Sequence, residues 1–175
     1  MALDYGVNRI THFPNAIKPL HHREIGGVGA GLLNDFKLEL IVDNIHLSPD
    51  FVKLVYSIKN IEDIILVTDS ISATNLDDGK YSLGGLEVFV KNKKATLEDG
   101  TIAGSTLTFD NAIRNFYNST NCSLQELAKI SSYNALQNLN IFNEGRIKEN
   151  YIANLVLLSN NLEIKHTIFE GKIVY

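Results

Sequence analysis

The run Ile64-Ile65-Leu66-Val67 constrains this chain more than any other stretch. It is short, apolar at every position and rich in β-branched residues, so it reads as a strand that must be covered on both faces. Two earlier runs repeat the theme. Arg9-Ile10-Thr11-His12 is a short strand candidate, followed by a loop and a small-residue helix around Val28 to Leu33. Leu38 to Val42 is the second, followed by a helix expected to place Phe51, Leu54, Val55 and Ile58 on one face, with Asp50 at the N-cap after Pro49. Continuous apolar strands separated by amphipathic helices specify an α/β fold with a parallel sheet or barrel.

Each run leads promptly to a polar residue with chemical potential. The first ends on His12, the second on Asp43 and then His46, the third on Thr68 and Asp69. In parallel α/β folds the C-terminal strand ends face the site, and barrel enzymes draw their catalytic groups from there. After Asp69 the texture changes. Tyr81 to Thr96 reads as a hairpin, with alternation through Leu86-Glu87-Val88-Phe89-Val90 and Asn92-Lys93 near the turn. A helix with Phe109, Ile113, Phe116 and Tyr117 on one stripe follows, then one opened by the capping-box pattern Ser123-Leu124-Gln125-Glu126. The tail is strand-rich: Ala153 to Leu158, Ile164 to Phe169 and Lys172 to Tyr175, the last two joined by a turn at Glu170-Gly171. His166, inside a tail strand, reads as structural.

Composition excludes several classes. Net charge is -4 and the basic residues are scattered, which is unlike the footprint of a nucleic-acid binder but compatible with a small anionic substrate held by local cations. No apolar run approaches the ~20 residues that span a bilayer. The single cysteine, Cys122, allows no intrachain disulfide, and without a recognisable signal peptide it favours a reducing cytoplasm. No base stands near it in sequence to make it a nucleophile. Gly26-Gly27-Val28-Gly29-Ala30-Gly31 has neither the dinucleotide nor the P-loop spacing; small residues for tight helix packing account for it better.

Five ordered blocks carry a family resemblance. Thr11-His12-Phe13-Pro14-Asn15-Ala16 with Pro19-Leu20-His21-His22-Arg23-Glu24 resembles the Thr-His-Leu-Phe-Asn-Ala-Met…His-Arg-Glu signature of the N-acetylglucosamine-6-phosphate deacetylases, within the amidohydrolase superfamily. Asp43-Asn44-Ile45-His46, Val67-Thr68-Asp69-Ser70, and Leu83-Gly84-Gly85 with Ala103-Gly104-Ser105-Thr106 agree in order and approximate spacing, and Gly145-Arg146-Ile147 with Leu155-Val156 resembles the return into a small β-domain. The resemblance implies the C-terminal part of a (β/α)8 barrel, strands six to eight, over residues 1–143, and strands of the small β-domain over 144–175. The opening Met1 to Gly6 would then end the helix before strand six.

The same resemblance implies metal-assisted hydrolysis of a sugar-phosphate acetamide to glucosamine 6-phosphate and acetate. His12 would be a ligand to a divalent metal of the zinc or iron class, and Asp69 the general base, then acid. His46 would contact substrate and donate to a substrate or developing oxygen. Asn15, Ala16 and Arg23 would hold phosphate or sugar, Arg23 in a homodimer serving a neighbouring subunit, and Ile102, Ala103 and Gly104 would line the sugar pocket. Ile25, Asn154 and the Phe13-Pro14 pair depart from the family pattern, as does Asn134-Ala135 without a following proline.

Such metal chemistry needs about three protein ligands and an open position. Only His12 is convincing here. The family's His-x-His pair, its metal-binding glutamate and its other metal histidine have no counterpart. The expectation is therefore a segment inactive in isolation, which either is truncated, complements a separate N-terminal half, or survives as a non-catalytic sugar-phosphate or partner binder. Another amidohydrolase, dihydroorotase-like or deaminase-like, is the alternative enzyme class. Exposed parallel strand edges would make a lone chain unstable, swapped or partnered.

Overall fold

In the computed structural model, which describes residues 2–175, the three apolar runs pair as one parallel sheet. Its order is β1 (Arg9–Ile10), β2 (Lys37–Ile41), β3 (Ile64–Val67), with Ile10 opposite Leu38 and Ile41 opposite Val67. Adjacent parallel strands require crossovers, and α1 (Gly26–Leu33) and α2 (Pro49–Ile58) supply them. The strands are covered on both faces, as their apolar runs demand. Leu38, Leu40, Ile64 and Leu66 enter a core with Val28, Leu32, Val52, Val55 and Phe116, while Ile41 and Val67 pack with Leu107 and Ala112.

Helix α2 begins differently from expectation. Ser48, not Asp50, is the N-cap: its Oγ accepts from the Phe51 amide at 3.2 Å, and Pro49 takes the first turn, where its missing N–H costs nothing. The buried stripe is Val52 and Val55, both fully enclosed, with Phe51 packed partly against the core. Leu54 and Ile58, expected inside, are 45% and 48% exposed. The apolar residues of α2 outnumber one face, and packing into the shared core selects which of them turn inward.

The small-residue reading of α1 holds. A Cβ on Gly31 would lie 2.5 Å from Phe13 Cε2 and 3.0 Å from Ile10 Cδ1, and Phe13 is wholly buried. The residues expected to end a helix at the start of the chain instead form a single 3-10 turn, Ala2–Tyr5; Met1 lies outside the described residues.

Beyond β3, the expected hairpin is a three-stranded antiparallel meander: β4 (Gly79–Leu83), β5 (Leu86–Lys91) and β6 (Lys94–Thr96). Gly84-Gly85 makes its first turn and Asn92-Lys93 its second. Helix α3 (Phe109–Thr120) buries Ala112 and Phe116, with Ile113 and Tyr117 packed partly against the core; Phe109 at its start stays 39% exposed. The capping box forms as read, with Ser123 Oγ accepting from the Glu126 amide at 3.2 Å and Glu126 Oε2 accepting from the Ser123 amide at 2.8 Å. It opens α4 (Leu124–Ala128), which runs through a π-helical turn, Lys129–Tyr133, into α5 (Asn134–Asn138). Asn134 is 4% exposed and donates to Ile61 O at 2.7 Å and Ile64 O at 2.8 Å, tying this helix to the start of β3. The tail forms a separate antiparallel sheet, β7 (Leu155–Leu158), β8 (Ile164–Phe169) and β9 (Lys172–Ile173), turning at Glu170-Gly171. Among the described residues, no helix is long and apolar enough to cross a membrane.

A glycine-to-alanine change in an unobstructed helix gains roughly 0.5–1 kcal/mol. At Gly31 the blocked Cβ reverses the sign, because overpacking costs about 1–3 kcal/mol. Gly27, whose Cβ would meet nothing nearer than Ile17 at 3.5 Å, is the control. Urea denaturation should show Gly31→Ala destabilised and Gly27→Ala neutral or stabilised; equal effects at both positions would refute the packing account.

Candidate active site at the strand ends

Because β1, β2 and β3 run the same way, their chain exits leave one edge of the sheet. His12, Asp43 and Asp69 each stand two residues past the last residue of their strand, Ile10, Ile41 and Val67. His12 and Asp69 take left-handed backbone conformations, φ 39° and 50°. For residues other than glycine that costs of order 1–3 kcal/mol, a cost tolerated where the surroundings impose it. At His12 the following loop does so: the Asn15 amide and its Nδ2 both donate to His12 O, at 2.8 and 3.0 Å. Asn15, expected as a substrate contact, commits one of its two side-chain N–H donors to the His12 turn, which leaves its second N–H and Oδ1 for other partners.

His12 Nδ1 is buried and has no hydrogen-bond partner, alone in this among the side-chain polar atoms of the described residues. A sealed imidazole nitrogen without a partner costs on the order of 1–3 kcal/mol unless something else binds it, and a metal ion is a natural occupant. The residues present thus fit one ligand position. Among the described residues no cluster of three or more His, Cys, Asp or Glu side chains exists that could complete a metal cage.

At the end of β2, Asp43 and His46 form a nearly buried pair, with side chains 8% and 7% exposed. Asp43 Oδ2 lies 2.7 Å from His46 Nδ1, while Oδ1 accepts from the Ile45 and His46 amides at 2.8 and 2.7 Å. Burial pushes the Asp43 carboxyl up, but the bonds from the His46 ring, the His46 amide and the Ile45 amide together outweigh it and hold the group below its ordinary value. Helix α3 anchors the approach: Asn115 Nδ2 donates to Val42 O at 2.9 Å. Sequence reading noticed Asp43 but gave it no role; its i, i+3 spacing to His46 was the available signal.

Asp69 is exposed, and among the described residues no hydrogen bond or ion pair engages its carboxylate. Its backbone is held firmly instead. Asp69 O accepts from the Ser105 amide at 2.8 Å, and Ser105 O accepts from the Ile71 amide at 2.9 Å. Ser105, 2% exposed, also donates its hydroxyl to Thr68 O and accepts from the Leu107 amide at 3.1 Å. Gly104 permits the approach: at φ +62°, a Cβ there would lie 2.6 Å from Ile71 Cγ2 and 3.1 Å from Asp69 O. Gly104 is thereby brought against the Asp69 carbonyl, while Ile102 bridges Thr96 and the Ala103 amide donates to Ala95 O at 3.1 Å at the edge of the meander. Ser105 is the residue that docks this segment on the β3 exit, and sequence reading assigned it nothing.

Other expected groups are not assembled with these. Ala16 and Arg23 are exposed on the loop between β1 and α1. Arg23 Nη1 lies 2.9 Å from His22 Nε2 and pairs with no carboxylate among the described residues; Glu24 pairs with Lys18 at 2.6 Å. No hydrogen bond or ion pair joins Arg23 to His12, His46 or Asp69. A cleft of about 300 Å³ lies between the β2 exit, the meander and α3, lined by Asp43, Asn44, Asn75, Lys93 and Thr106 among others. It includes neither His12, His46 nor Asp69, so it is not by itself the reaction centre. Cys122 is buried, and burial pushes its thiol up, the opposite of the lowered pKa that activates a cysteine nucleophile. His166 Nδ1 stands 3.2 Å from Tyr175 O within the tail sheet, a structural contact.

The amidohydrolase family profile matches residues 5–174, and the chain belongs to that family. It is 44% identical over 98% of its length to the N-acetylglucosamine-6-phosphate deacetylase of Lysinibacillus sphaericus, covering 45% of that protein. Its fold superposes with TM-score 0.96 and 56% identity on the crystal structure of N-acetylglucosamine-6-phosphate deacetylase from Thermotoga maritima, covering 99% of this chain and 48% of that one. An aspartate-to-alanine variant of the Mycobacterium smegmatis N-acetyl-D-glucosamine-6-phosphate deacetylase, in complex with N-acetyl-D-glucosamine-6-phosphate, matches with TM-score 0.93 and 27% identity, over 99% of this chain and 47% of that one. The chain spans about half the length of the relatives it matches.

The depressed Asp43 pKa has a pH consequence. A carboxyl whose native pKa lies below its ordinary value of 3.8 adds stability that is complete above that value and lost as pH falls through the native pKa. Denaturation followed from about pH 5 to about pH 3 should lose less stability in Asp43→Asn than in the native chain. An unchanged slope would mean that Asp43 gains nothing from its partners.

Proposed function

We propose that this chain is the C-terminal catalytic segment of an N-acetylglucosamine-6-phosphate deacetylase. On this reading β1, β2 and β3 are strands six to eight of a (β/α)8 barrel within residues 1–143, and 144–175 is the strand-rich return of the small β-domain. The observation that carries it is the row of His12, Asp43 and Asp69, each two residues past its parallel strand, with His46 held by Asp43 and with a buried His12 nitrogen unpartnered among the described residues.

His12 would hold a divalent metal of the zinc or iron class, together with ligands outside this chain's own set. Bound there, the metal would polarise the acetamide carbonyl and acidify water towards a pKa of ~7. Asp69, whose carboxylate is exposed and unengaged while its backbone is clamped by Ser105, takes a proton from the attacking water and delivers it to the departing amine. His46 presents Nε2 to the substrate. Donation from that atom needs the doubly protonated ring; the neutral ring with its proton on Nδ1 accepts there instead. Arg23, free of carboxylate partners, offers a forked cation for the 6-phosphate, in the homodimer towards the neighbouring subunit. Asn15 and Ala16 would hold phosphate or sugar with Arg23, and Ile102, Ala103 and Gly104 would line the sugar pocket. The setting is the cytoplasm, where a sugar phosphate is available.

With one ligand of about three, the 175-residue chain alone should release no acetate from N-acetylglucosamine 6-phosphate and retain metal weakly. Refolded with the N-terminal part of the Thermotoga maritima relative that it does not match, it should gain activity that Asp69→Asn or His12→Gln abolishes. Efficient acetate release by the chain alone would overturn the incomplete-site reading. Activity on a dihydroorotate or nucleobase substrate in the reconstituted protein, without acetate release, would favour the other amidohydrolase class.

A further inference from the structure

We infer that Asp43 is a positioning residue that fixes the tautomer and orientation of His46, leaving Nε2 as the nitrogen offered to ligand. The inference rests on the reading that His46 contacts substrate, but its geometry stands independently.

Asp43 divides its two oxygens between two tasks. Oδ1 accepts from two successive amides, Ile45 and His46, which closes the loop after β2. Oδ2 faces His46 Nδ1 at 2.7 Å. A carboxylate only accepts, so the hydrogen between them belongs to Nδ1. The ring is thereby held by two bonds to one side chain, one through its own backbone amide and one through Nδ1. Its Nε2 has no hydrogen-bond partner among the described residues, yet it is not a sealed, unsatisfied atom as His12 Nδ1 is. The pair is almost enclosed, so water competes poorly for the Nδ1 proton. Asn115, donating to Val42 O, fixes the backbone just before Asp43 and so the direction from which the carboxylate approaches.

An amide in place of the carboxylate makes a sharp test. In Asp43→Asn, Oδ1 can still serve the two backbone amides, which turns Nδ2, a donor, towards His46 Nδ1. The imidazole must then accept at Nδ1 and carry its proton on Nε2. The loop is conserved while the tautomer inverts.

The measurement is a long-range proton–nitrogen correlation on ¹⁵N-histidine-labelled chain at about pH 8, where an ordinary imidazole is neutral. The His46 signals are assigned by their loss in His46→Gln. The native chain should show a protonated Nδ1 and a bare Nε2; Asp43→Asn should show the reverse, with the Ile45 and His46 amides still protected from exchange. Asp43→Glu, which retains a carboxylate, should restore the Nδ1 proton. A native ring protonated on Nε2, or the same tautomer in native and Asp43→Asn proteins, overturns the inference. Titration with N-acetylglucosamine 6-phosphate should move the native Nε2 resonance and bind about tenfold more weakly to Asp43→Asn, the effect of one mismatched hydrogen bond. The expected tautomers with no response of Nε2 to this ligand would refute the substrate reading while the positioning by Asp43 stands.

Discussion

The parallel pairing of β1, β2 and β3 is the constraint on which everything else depends. Parallel strands exit at one edge, so three segments distant in sequence bring their following residues to a common side. The opposite edge has a different chemistry. There Lys37 pairs with Asp63 at 2.6 Å, Lys59 Nζ donates to Asn34 O at 2.6 Å, and Asn134 ties a helix to the carbonyl of Ile64. Those contacts hold strand starts in place; the strand ends are left for groups with reactive potential.

The site groups are held by different means. At His12 a turn closed by Asn15 holds a left-handed backbone, and Nδ1 is buried with no partner among the described residues. At Asp43–His46 a carboxylate and an imidazole satisfy one another inside the fold. At Asp69 the side chain is free and only the backbone is gripped, by Ser105 through Gly104. One side-chain nitrogen is thus left without a partner, one pair is locked in orientation, and one carboxylate is left open to solvent. The satellite meander contributes by position: its last strand leads into the segment that Ser105 docks against the β3 exit.

Much of this was legible beforehand. The apolar runs announce the strands, the Ser123–Glu126 pattern forms its capping box, and the glycines of α1 act as the packing devices their spacing indicates. Asp50 and the inward face of α2 were misread, because Ser48 and Asp50 are both acceptable caps and the apolar residues of α2 exceed one stripe. The single hairpin became a meander because Gly84-Gly85 is as good a turn as Asn92-Lys93. Ser105 and Asn134 were invisible as anchors: a lone serine or asparagine has no periodicity, and its importance comes from carbonyls dozens of residues away.

The sequence by itself determined the class of fold, the order of its strands and the residues that follow them, since apolar periodicity and local turn chemistry are properties of neighbours along the chain. Tertiary structure decided the rest. It buried His12 Nδ1 without a partner among the described residues, aimed Asp43 at His46 Nδ1, and set Gly104 and Ser105 against Asp69 while leaving Arg23 exposed on its loop. These are facts of distance and enclosure between groups on different elements, and packing, not local preference, sets them.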